Sequence, residues 1–373
     1  MRYDVAIIGG GPAGSMTARA LAKEGYSVAV LEEHAEIGKL VSCAGLVTER
    51  VVKMAGTSDG VVVNKIKGAD VYSPGKKEIR IGGNKIHALV IDREKFDKEM
   101  AEMAIAEGAE YRCRWKASDA YIKNGEIIVK GKEEVKCKYL VGADGARSDV
   151  AKWFNFPEPK EYIYAMQATV PYKMQNESVK VFFGNNVAPG FFAWVIPEEK
   201  KARIGLGVRK GYKLKKYFFK FLEMVEIGKT REGEINAGII PVGLRNTFSS
   251  ENVSLVGDAA AQVKATSGGG LYPGLLAAKI LEKAIQKFLE GNGTYQYERE
   301  YMKDFGKELK KSMAMRKFFL RADDKKIDAI FDSLNDDVIR TINEYGDIDY
   351  PSIAAKELIK RHPKLLKFLF LPF

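Results

Sequence analysis

Cysteine, histidine and long apolar runs are scarce in this chain. Its three cysteines, Cys43, Cys113 and Cys137, form no CxxC pair, and its three histidines lack the spacing of metal ligands. This argues against a disulfide scaffold or a metal site and favours a reducing compartment. Cys113 and Cys137 lie in strand-like segments, so we expect both in the core. No window approaches 18 uncharged apolar residues, so no membrane-spanning helix is expected.

The N-terminal segment and the charge balance bear on location and partners. "MRYDVAIIGGG" shows no basic leader followed by an apolar run and a cleavage site, so a cytoplasmic location is expected. Lysine and arginine number 60 against 49 acidic residues, a net charge of +11. Such an excess suits an anionic membrane surface, a phosphorylated molecule or nucleic acid. Because the lysines are scattered among glutamates, a solvated surface explains most of the excess, and no nucleic-acid partner is expected.

Three segments show a strand, a glycine turn and a helix in succession. The first, "DVAIIGGGPAGSMTARALAKEGYSVAVLEE", predicts a βαβ unit with strands at residues 5–8 and 28–31. Uninterrupted apolar strands of this kind are typical of a parallel sheet covered on both faces. The second is "KYLVGADGARSDVAKWF", and the third runs from "NVSLVGDAAAQ" into "GGGLYPGLLAAKILEKAIQKFLEG". Together they predict one parallel-sheet domain assembled from separate parts of the chain.

The block from about 160 to 242 alternates with period two, in "IYAMQATVPY", "SVKVFFG", "FFAWVIP" and "ARIGLGV". This alternation is typical of antiparallel sheet with one polar and one apolar face. The predicted fold is α/β, and α+β overall. Its predicted parts are a dinucleotide-binding domain of residues 1–58, 93–158 and 245–292, a mixed or antiparallel β-sheet domain of residues 59–92 and 159–244, and a helical region of residues 293–373.

The first glycine turn has the spacing of a dinucleotide-binding loop. Gly9, Gly11 and Gly14 follow a strand and precede a helix, so their backbone amides can approach a pyrophosphate at the positive end of that helix. Glu32 closes the second strand, where a carboxylate binds ribose hydroxyls and repels a 2′-phosphate. FAD or NAD is therefore favoured over NADP. The predicted cofactor-binding residues here are Gly9, Gly11, Pro12, Ala13, Gly14, Glu32 and Glu33.

Three later motifs resemble those of the flavoprotein monooxygenase and geranylgeranyl reductase superfamily, which shares the fold of p-hydroxybenzoate hydroxylase. They are "VIDREKFDKEM", "VGADGARSDV" and "VSLVGDAAAQVKATSGGGLYPGLLAA", in this order. The resemblance implies bound FAD, with Arg93 at the flavin or its pyrophosphate and Asp258 on the ribitol chain. A helix start would then face the pyrimidine end of the flavin with its amides. The implied cofactor-binding residues are Arg93, Asp144, Gly145, Asp258, Gly268, Gly269 and Gly270.

Two further segments are similar to the geranylgeranyl reductase branch. "EIGKLVSCAGLVTER" carries Cys43 and Ala44, and in that branch such a stretch places a cysteine over the flavin ring. "PGFFAWVIP" is similar to that branch's P-x-x-Y-x-W-x-F-P substrate motif. Without this context the aromatic run would be interpreted as a core strand. The implied substrate-binding residues are Pro189, Phe192, Trp194, Ile196 and Pro197, with Phe192 in place of the motif's tyrosine and Ile196 in place of its phenylalanine.

The resemblance implies FAD-dependent reduction of the isolated C=C bonds of geranylgeranyl chains, on archaeal-type ether phospholipids. Cys43 is the candidate catalytic residue, as a proton donor or a steric aligner, and the alternative is a buried structural thiol. The electron donor is NAD(P)H, a ferredoxin or a deazaflavin. An aromatic hydroxylase or a halogenase is the alternative activity, because halogenases carry a similar W-x-W-x-I-P. A third possibility is a flavin-bearing protein that binds or carries lipid, or carries electrons, without turnover.

The C-terminal tail combines basic and apolar residues. "IKRHPKLLKFLFLPF" places lysine and arginine beside leucine and phenylalanine, which is the composition of an interfacial anchor on anionic lipid. The same pattern is also typical of a terminal helix that docks its apolar face on the domain. The sequence leaves both interpretations open, and with them a peripheral contact with the membrane.

Overall fold

The structure is a computed structural model that describes residues 1–39, 42–172, 174–175, 177–226, 233–291 and 296–368. Within these residues the strands, in chain order, are β1 Arg2–Ile8, β2 Val28–Leu31, β3 Leu46–Val47, β4 Val62–Ile66, β5 Gly68–Tyr72, β6 Glu78–Gly82, β7 Ala88–Ile91, β8 Glu110–Arg112, β9 Asp119–Lys123, β10 Glu126–Lys130, β11 Val135–Gly142, β12 Glu161–Pro171, β13 Ser178–Phe182, β14 Ala193–Glu198, β15 Lys201–Arg209, β16 Glu234–Val242 and β17 Val253–Leu255. The helices are α1 Pro12–Lys23, α2 Glu49–Ala55, α3 Arg93–Ala106, α4 Asp149–Trp153, α5 Leu214–Met224, α6 Leu271–Leu289, α7 Tyr297–Tyr301, α8 Lys307–Arg321, α9 Asp324–Asp332, α10 Asp336–Tyr345 and α11 Pro351–Arg361.

The first sheet has the strand order β8-β2-β1-β11, all parallel. Parallel β17 pairs with the last residues of β11, and the antiparallel β10-β9 hairpin pairs with its first residues. Val5, Ala6 and Ile7 are all fully buried, and neighbouring side chains of a strand point to opposite faces of the sheet, so neither face is exposed at β1. The continuous apolar strand predicted here is therefore explained by cover on both faces.

The second sheet has the order β16-β12-β15-β14-β13-β5-β6 and is antiparallel except where β13 meets β5. Its strands come from two separate stretches of the chain, because β5 and β6 precede the rest by about a hundred residues. Along β14 the period-two alternation sends Ala193 and Val195 into a cluster beneath α5. Trp194 and Ile196 enter a different cluster on the opposite face. Both faces of β14 are apolar and buried, so the expectation of one polar face is wrong for this strand, because the sheet is covered on both sides there.

A small sheet, β3-β7-β4, lies between the two larger ones. Leu46 of β3 and Val90 of β7 belong to the same apolar cluster as Trp194 and Ile196. Since β3 follows the segment that carries Cys43, this sheet holds that segment against the aromatic strand.

The predicted fold class is confirmed: a parallel-sheet domain alternates with a mostly antiparallel sheet, and helices α7 to α11 follow. The expectation for Cys113 is wrong. Cys113 is exposed because β8 ends one residue before it, whereas Cys137 is buried within β11 as expected. No helix in the described part of the chain has both the length and the apolar character to cross a bilayer.

Candidate functional site

The glycine turn after β1 packs against the turn after β11. A Cβ at Gly9 would lie 2.3 Å from the carbonyl oxygen of Ala143, and one at Gly14 would lie 2.1 Å from the carbonyl oxygen of Gly9. A Cβ at Gly11 would meet no heavy atom within 4 Å. Two of the glycines therefore let the backbone pack closely, while Gly11 and the start of α1 leave open space that a pyrophosphate can approach.

Glu32 holds the same turn from the end of β2. Its Oε2 accepts a hydrogen bond of 2.8 Å from the Gly10 amide, and its Oε1 accepts one of 2.9 Å from the His34 amide. The His34 ring nitrogen Nδ1 lies 2.6 Å from the same Oε1. Glu33, in contrast, is exposed and pairs with Lys116 at 2.8 Å. The structure thus places Glu32 at the loop and turns Glu33 toward solvent.

Asp144 offers a polar atom that lacks a partner among the described residues. Its Oδ2 accepts hydrogen bonds of 2.7 and 3.1 Å from the amides of Asp149 and Val150 at the start of α4. Its Oδ1 is buried and accepts no hydrogen bond from the part of the chain that the structure describes, and desolvation raises the pKa of the carboxyl. A buried acceptor of this kind fits a cofactor that brings hydroxyl groups. Gly145, the next residue, has a φ of +75°, which favours glycine.

Asp258 lies against the glycines that precede α6. A Cβ at Gly270 would lie 2.8 Å from Asp258 Oδ1, and one at Gly268 would lie 3.1 Å from Ile240 of β16. Burial raises the pKa of Asp258, and the charge of Arg93 opposes that rise. Gly268, Gly269 and Gly270 therefore bring an uncapped helix start between an aspartate and the antiparallel sheet, where its amides can face an anionic group.

Cys43 lies in the same neighbourhood as Arg93. The Gly45 amide donates to Cys43 Sγ at 3.3 Å, and Arg93 makes two hydrogen bonds of 2.9 Å to the carboxylate of Asp97. Burial opposes the charge of Arg93, but Asp97 and then Cys43 outweigh it, so the pKa of Arg93 is raised. Arg93 thus interacts with both Cys43 and Asp258. Residues 40 and 41 of this loop lie outside the described residues.

Hydrogen bonds tie the Cys43 loop to the antiparallel sheet. Trp194 Nε1 donates to Gln167 Oε1 at 3.0 Å, and Gln167 Nε2 donates to the Cys43 carbonyl at 3.4 Å. Arg203 Nη1 donates to the carbonyls of Ala44 and Ile91, both at 3.0 Å. One amide side chain therefore joins the predicted catalytic loop to the predicted substrate wall.

The substrate wall is mainly aromatic. The ring centroids of Phe192 and Phe191 lie 4.3 Å apart, and those of Phe192 and Trp194 lie 5.9 Å apart. Phe192 is partly exposed, whereas Trp194 and Ile196 are buried beside it. The predicted wall also includes two residues placed differently. Pro197 follows the alternation onto the opposite face of β14, and Pro189 lies buried before the strand, where its carbonyl accepts from the Arg209 amide at 3.1 Å.

Sequence reasoning missed Gln167 and Arg203. Gln167 occupies a position of β12 on the face of Ala165, and Arg203 is 8% exposed within a strand otherwise buried from residues 202 to 208. The sequence feature that could have identified them is a polar residue on the apolar face of a strand with period-two alternation. Such a residue must find a partner when it is buried, but the sequence does not name the partner.

Comparison with known proteins places these motifs in one family. The FAD binding domain family matches residues 2–217. A digeranylgeranylglycerophospholipid reductase of Methanosphaera stadtmanae is 31% identical over 96% of this chain and 94% of its own. An uncharacterized protein of Methanocaldococcus jannaschii is 33% identical over 96% and 95%.

A solved structure shares the fold along the whole chain. It is described as a geranylgeranyl bacteriochlorophyll reductase-like protein from Thermoplasma acidophilum. Its TM-score is 0.85, its sequence identity is 24%, and the match covers 99% of this chain and 98% of that one. The open space at Gly11 and the unpartnered oxygen of Asp144 fit FAD. The chain therefore belongs to the geranylgeranyl reductase family of FAD-dependent oxidoreductases, as its motifs predicted.

Proposed function

We propose that this protein reduces the isolated C=C bonds of geranylgeranyl chains, on archaeal-type ether phospholipids, with FAD bound at the glycine loops. The observation that carries the proposal is the link from the Cys43 carbonyl through Gln167 to Trp194, because it ties the backbone of a cysteine loop to an apolar aromatic wall. The reductase relatives support the same reaction through their names.

The chain supplies the proton for this reaction. FAD, when bound and reduced, supplies the hydride equivalent that adds to one alkene carbon. An isolated alkene has no carbonyl to polarise, so the second carbon needs a proton, and the Cys43 thiol donates it. The thiolate left behind is stabilised by the Gly45 amide and by the guanidinium of Arg93. A proton from solvent then restores the thiol.

The wall and the loop supply alignment. Phe192 and Trp194 offer aromatic faces to an apolar chain, and Gln167 and Arg203 hold the cysteine loop at a fixed place relative to them. Holding an alkene between a proton donor and a hydride source contributes several kcal/mol toward the barrier, by analogy with oriented intramolecular reactions. We therefore place the reacting double bond between Cys43 and the start of α6.

Replacement of Cys43 tests the proton-donor role. We expect Cys43→Ser to bind FAD normally and to slow alkene reduction by roughly 10²–10⁴-fold, because a poorer acid replaces the thiol. The measurement is anaerobic reoxidation of the reduced enzyme by a geranylgeranyl lipid, with products identified by mass spectrometry. Cys113→Ser is the matched control, since that thiol is exposed and follows β8 of the parallel sheet, and its FAD content is checked in the same way because Glu32 lies near it. A wild-type rate in Cys43→Ser would remove the thiol from catalysis.

The same assay separates the alternative activities. A hydroxylase or halogenase requires productive reaction of the reduced enzyme with oxygen, whereas a reductase is reoxidised by the lipid without oxygen. A lipid carrier would bind the lipid and leave its double bonds unchanged. Reduction of the lipid under argon therefore supports the reductase and excludes the other two.

Electron supply and location are further parts of the proposal. NAD(P)H, a ferredoxin and a deazaflavin are the candidate donors, and anaerobic titration of the oxidised enzyme with each one identifies the donor by bleaching of the flavin spectrum. A water-insoluble substrate has to be met at a membrane surface, so the proposed location is peripheral, on the cytoplasmic face of the membrane. Residues 369–373 of the tail, and the side chains of residues 366–368, lie outside the described residues.

A further inference from the structure

A basic helix with exposed apolar side chains covers one face of the antiparallel sheet. The helix is α5, and it buries Ala193 and Val195 of β14 beneath it. Trp194 and Ile196 lie on the opposite face of the sheet. The outer surface of this helix and of the turn before it is called the α5 face here. It comprises Tyr212, Lys213, Lys215, Lys216, Phe219 and Met224.

The exposed apolar side chains of the α5 face are not required for packing. Phe218 and Phe221 fill the core beneath the helix and are almost fully buried. Phe219 and Tyr212 are nonetheless 48% and 49% exposed, and Met224 is 43% exposed. Phe219 packs edge-on against Phe218, and Tyr212 packs edge-on against Tyr217. About half of each side chain stays exposed after these contacts, so the outer surface indicates an external apolar contact.

The edge of the sheet adds another exposed apolar group to the same side. Ile235 of β16 pairs directly with Ala168 of β12, so both side chains point to the same face of the sheet. Ala168 is buried in the cluster under α5, whereas Ile235 is 50% exposed. The apolar surface therefore extends from the helix to the sheet edge.

Positive charge surrounds these side chains. Lys213, Lys215 and Lys216 are exposed and form no ion pair with a carboxylate in the described ranges. Glu223 and Glu226 are the acidic residues of the same stretch, and both follow the lysines toward the end of the helix. Lysines interleaved with phenylalanine, tyrosine and methionine are the composition that binds an anionic lipid interface.

A cavity leads inward from the α5 face. Its volume is about 90 Å³, and it is lined both by exposed Tyr212 and by buried Phe191 and Phe319, with Arg209 among its polar lining. Phe319 lies 5.5 Å from Phe183, which lies 6.1 Å from Phe192 of the substrate wall. The cavity therefore runs from Tyr212 to Phe191, whose ring stacks on Phe192 of the predicted wall with centroids 4.3 Å apart.

We propose that the α5 face docks on the surface of an anionic lipid bilayer, with Tyr212, Phe219 and Met224 at the interface, and that a prenyl chain passes from the bilayer along this cavity to Phe192. The docking surface follows from the positive charge and the exposed apolar side chains of the α5 face. Only the identity of the entering chain rests on the proposed function. Lysine alone would suit an acidic protein equally well, but the exposed apolar side chains favour lipid.

Sedimentation with vesicles tests the docking surface. The flavin-loaded full chain is mixed with vesicles of equal parts phosphatidylglycerol and phosphatidylcholine. We expect binding that falls in 1 M salt and is weak with phosphatidylcholine alone. Reversing two charges, in Lys215→Glu/Lys216→Glu, should weaken binding on the order of tenfold or more, and Phe219→Ser should weaken it severalfold. Both sites are exposed, and unchanged flavin content shows that the variants fold.

Matched controls come from the parallel-sheet domain. Ile105 is 51% exposed, so Ile105→Ser removes a comparable apolar group elsewhere, and Lys132→Glu/Lys136→Glu reverses two exposed charges there. These variants should bind vesicles as the wild type does. The proposal is overturned if the controls weaken binding as much as the α5 variants do, or if only removal of residues 361–373 weakens it. It is also overturned if the α5 variants lose only reduction by an acidic ferredoxin.

Activity measurements separate failure of docking from failure of the proposed reaction. With substrate dispersed in detergent, the α5 variants should reduce alkenes at the wild-type rate, and only substrate embedded in vesicles should react more slowly. Loss in both formats would contradict the docking role. Absence of any alkene reduction by the wild type, with vesicle binding intact, would refute the proposed function and leave the docking surface standing.

Discussion

One carboxylate oxygen of Asp144 accepts hydrogen bonds from two backbone amides, and the other is buried with no partner among the residues that the structure describes. Desolvation raises the pKa of this carboxyl, so the ionised form costs stability in the flavin-free protein at neutral pH. A cofactor hydroxyl that donates to the free oxygen would offset that cost. Asp144 would thus lower the stability of the flavin-free protein and strengthen binding of the cofactor.

Asp144→Asn should separate the two effects. A neutral amide can still accept the two backbone hydrogen bonds, so we expect the flavin-free variant to be more stable than wild type by about 1 kcal/mol at pH 7. The difference should shrink as pH falls through the raised pKa, because the wild-type carboxyl then becomes neutral as well. Urea unfolding at several pH values measures it.

The same variant should bind FAD roughly 10-fold or more weakly, since a charged acceptor is lost. Quenching of flavin fluorescence measures this affinity. Asp149→Asn is the control, because that carboxylate is exposed and pairs with Lys152. Unchanged FAD affinity in Asp144→Asn would show that this carboxylate does not contact the cofactor.

Some residues of the candidate site could be predicted from the sequence, and others could not. Cys43, Arg93 and Asp258 were selected by resemblance to family motifs, and the structure brings their side chains into one electrostatic neighbourhood. Gln167 and Arg203 carry no motif. Arg203 also pairs with nearby Glu198 at 3.0 Å, but the partners that tie both side chains to the site are backbone carbonyls and a tryptophan far away in sequence. Long-range hydrogen bonds of this kind depend on how two sheets dock.

At the scale of elements, the turn between β1 and α1 shows that three similar glycines have different physical reasons. Gly14 and Gly9 lie against backbone atoms, whereas Gly11 has an extended backbone at φ −70° and ψ −179° and faces open space. The spacing of the motif predicts the same role for all three glycines. Only the packing tells which glycine serves the fold and which serves the ligand.

Alanine at two of these positions should therefore act differently. We expect Gly14→Ala to lower the free energy of unfolding by about 1–3 kcal/mol, because its Cβ would overlap the Gly9 carbonyl and the turn must shift. Gly11→Ala should leave the flavin-free protein as stable as wild type and weaken FAD binding. Thermal unfolding with and without FAD measures both. Equal destabilisation by the two substitutions would contradict this division.

β14 shows what a sequence pattern predicts about a strand and what it leaves open. Its period-two pattern predicted a strand, and the structure confirms it at Ala193–Glu198. The pattern could not assign the two faces, because both are apolar. The docking of α5 on one side and of the Cys43 loop on the other decides that Trp194 and Ile196 face the candidate site.

At the scale of the whole molecule, a buried charge cluster joins the helical region to both loops of the candidate site. Lys264, in the loop before Gly268, donates to Asp349 Oδ1 at 2.7 Å, and both side chains are less than 5% exposed. Asp349 Oδ2 accepts from Thr48 at 2.5 Å and from Arg50 at 3.3 Å, just after the Cys43 loop. The C-terminal helices therefore stabilise the arrangement of both loops.

Breaking this cluster should be costly. Asp349→Ala leaves Lys264 buried without its counter-charge, so we expect a loss of about 3–5 kcal/mol in the free energy of unfolding. Asp332→Ala removes a surface pair with Lys77 and should change it by about 1 kcal/mol or less. Urea unfolding of both variants measures the difference. A small effect at Asp349 would show that the cluster does not stabilise the fold, whereas partial rescue by Lys264→Met in the same chain would identify the unpaired charge as the cause.

The predicted division into domains of residues 1–58, 93–158 and 245–292, 59–92 and 159–244, and 293–373 stays a prediction. The two sheets of the structure draw on the same alternating stretches of chain. If the helical region were expressed alone, Asp349 would lose its partners Lys264 and Thr48. The helical region and the parallel-sheet domain are therefore expected to depend on one another for stability.

The sequence by itself determined what is local: apolar strands, period-two alternation, and glycine loops whose order identifies a flavin-binding family. These follow from backbone sterics and hydrophobic patterning, which act between neighbours along the chain. Tertiary structure alone decided which face of β14 meets the Cys43 loop, that Cys113 is exposed, and that Lys264 finds Asp349. Those outcomes depend on contacts between residues tens to hundreds of positions apart, because a buried charge or amide takes whichever partner the docked sheets and helices bring to it.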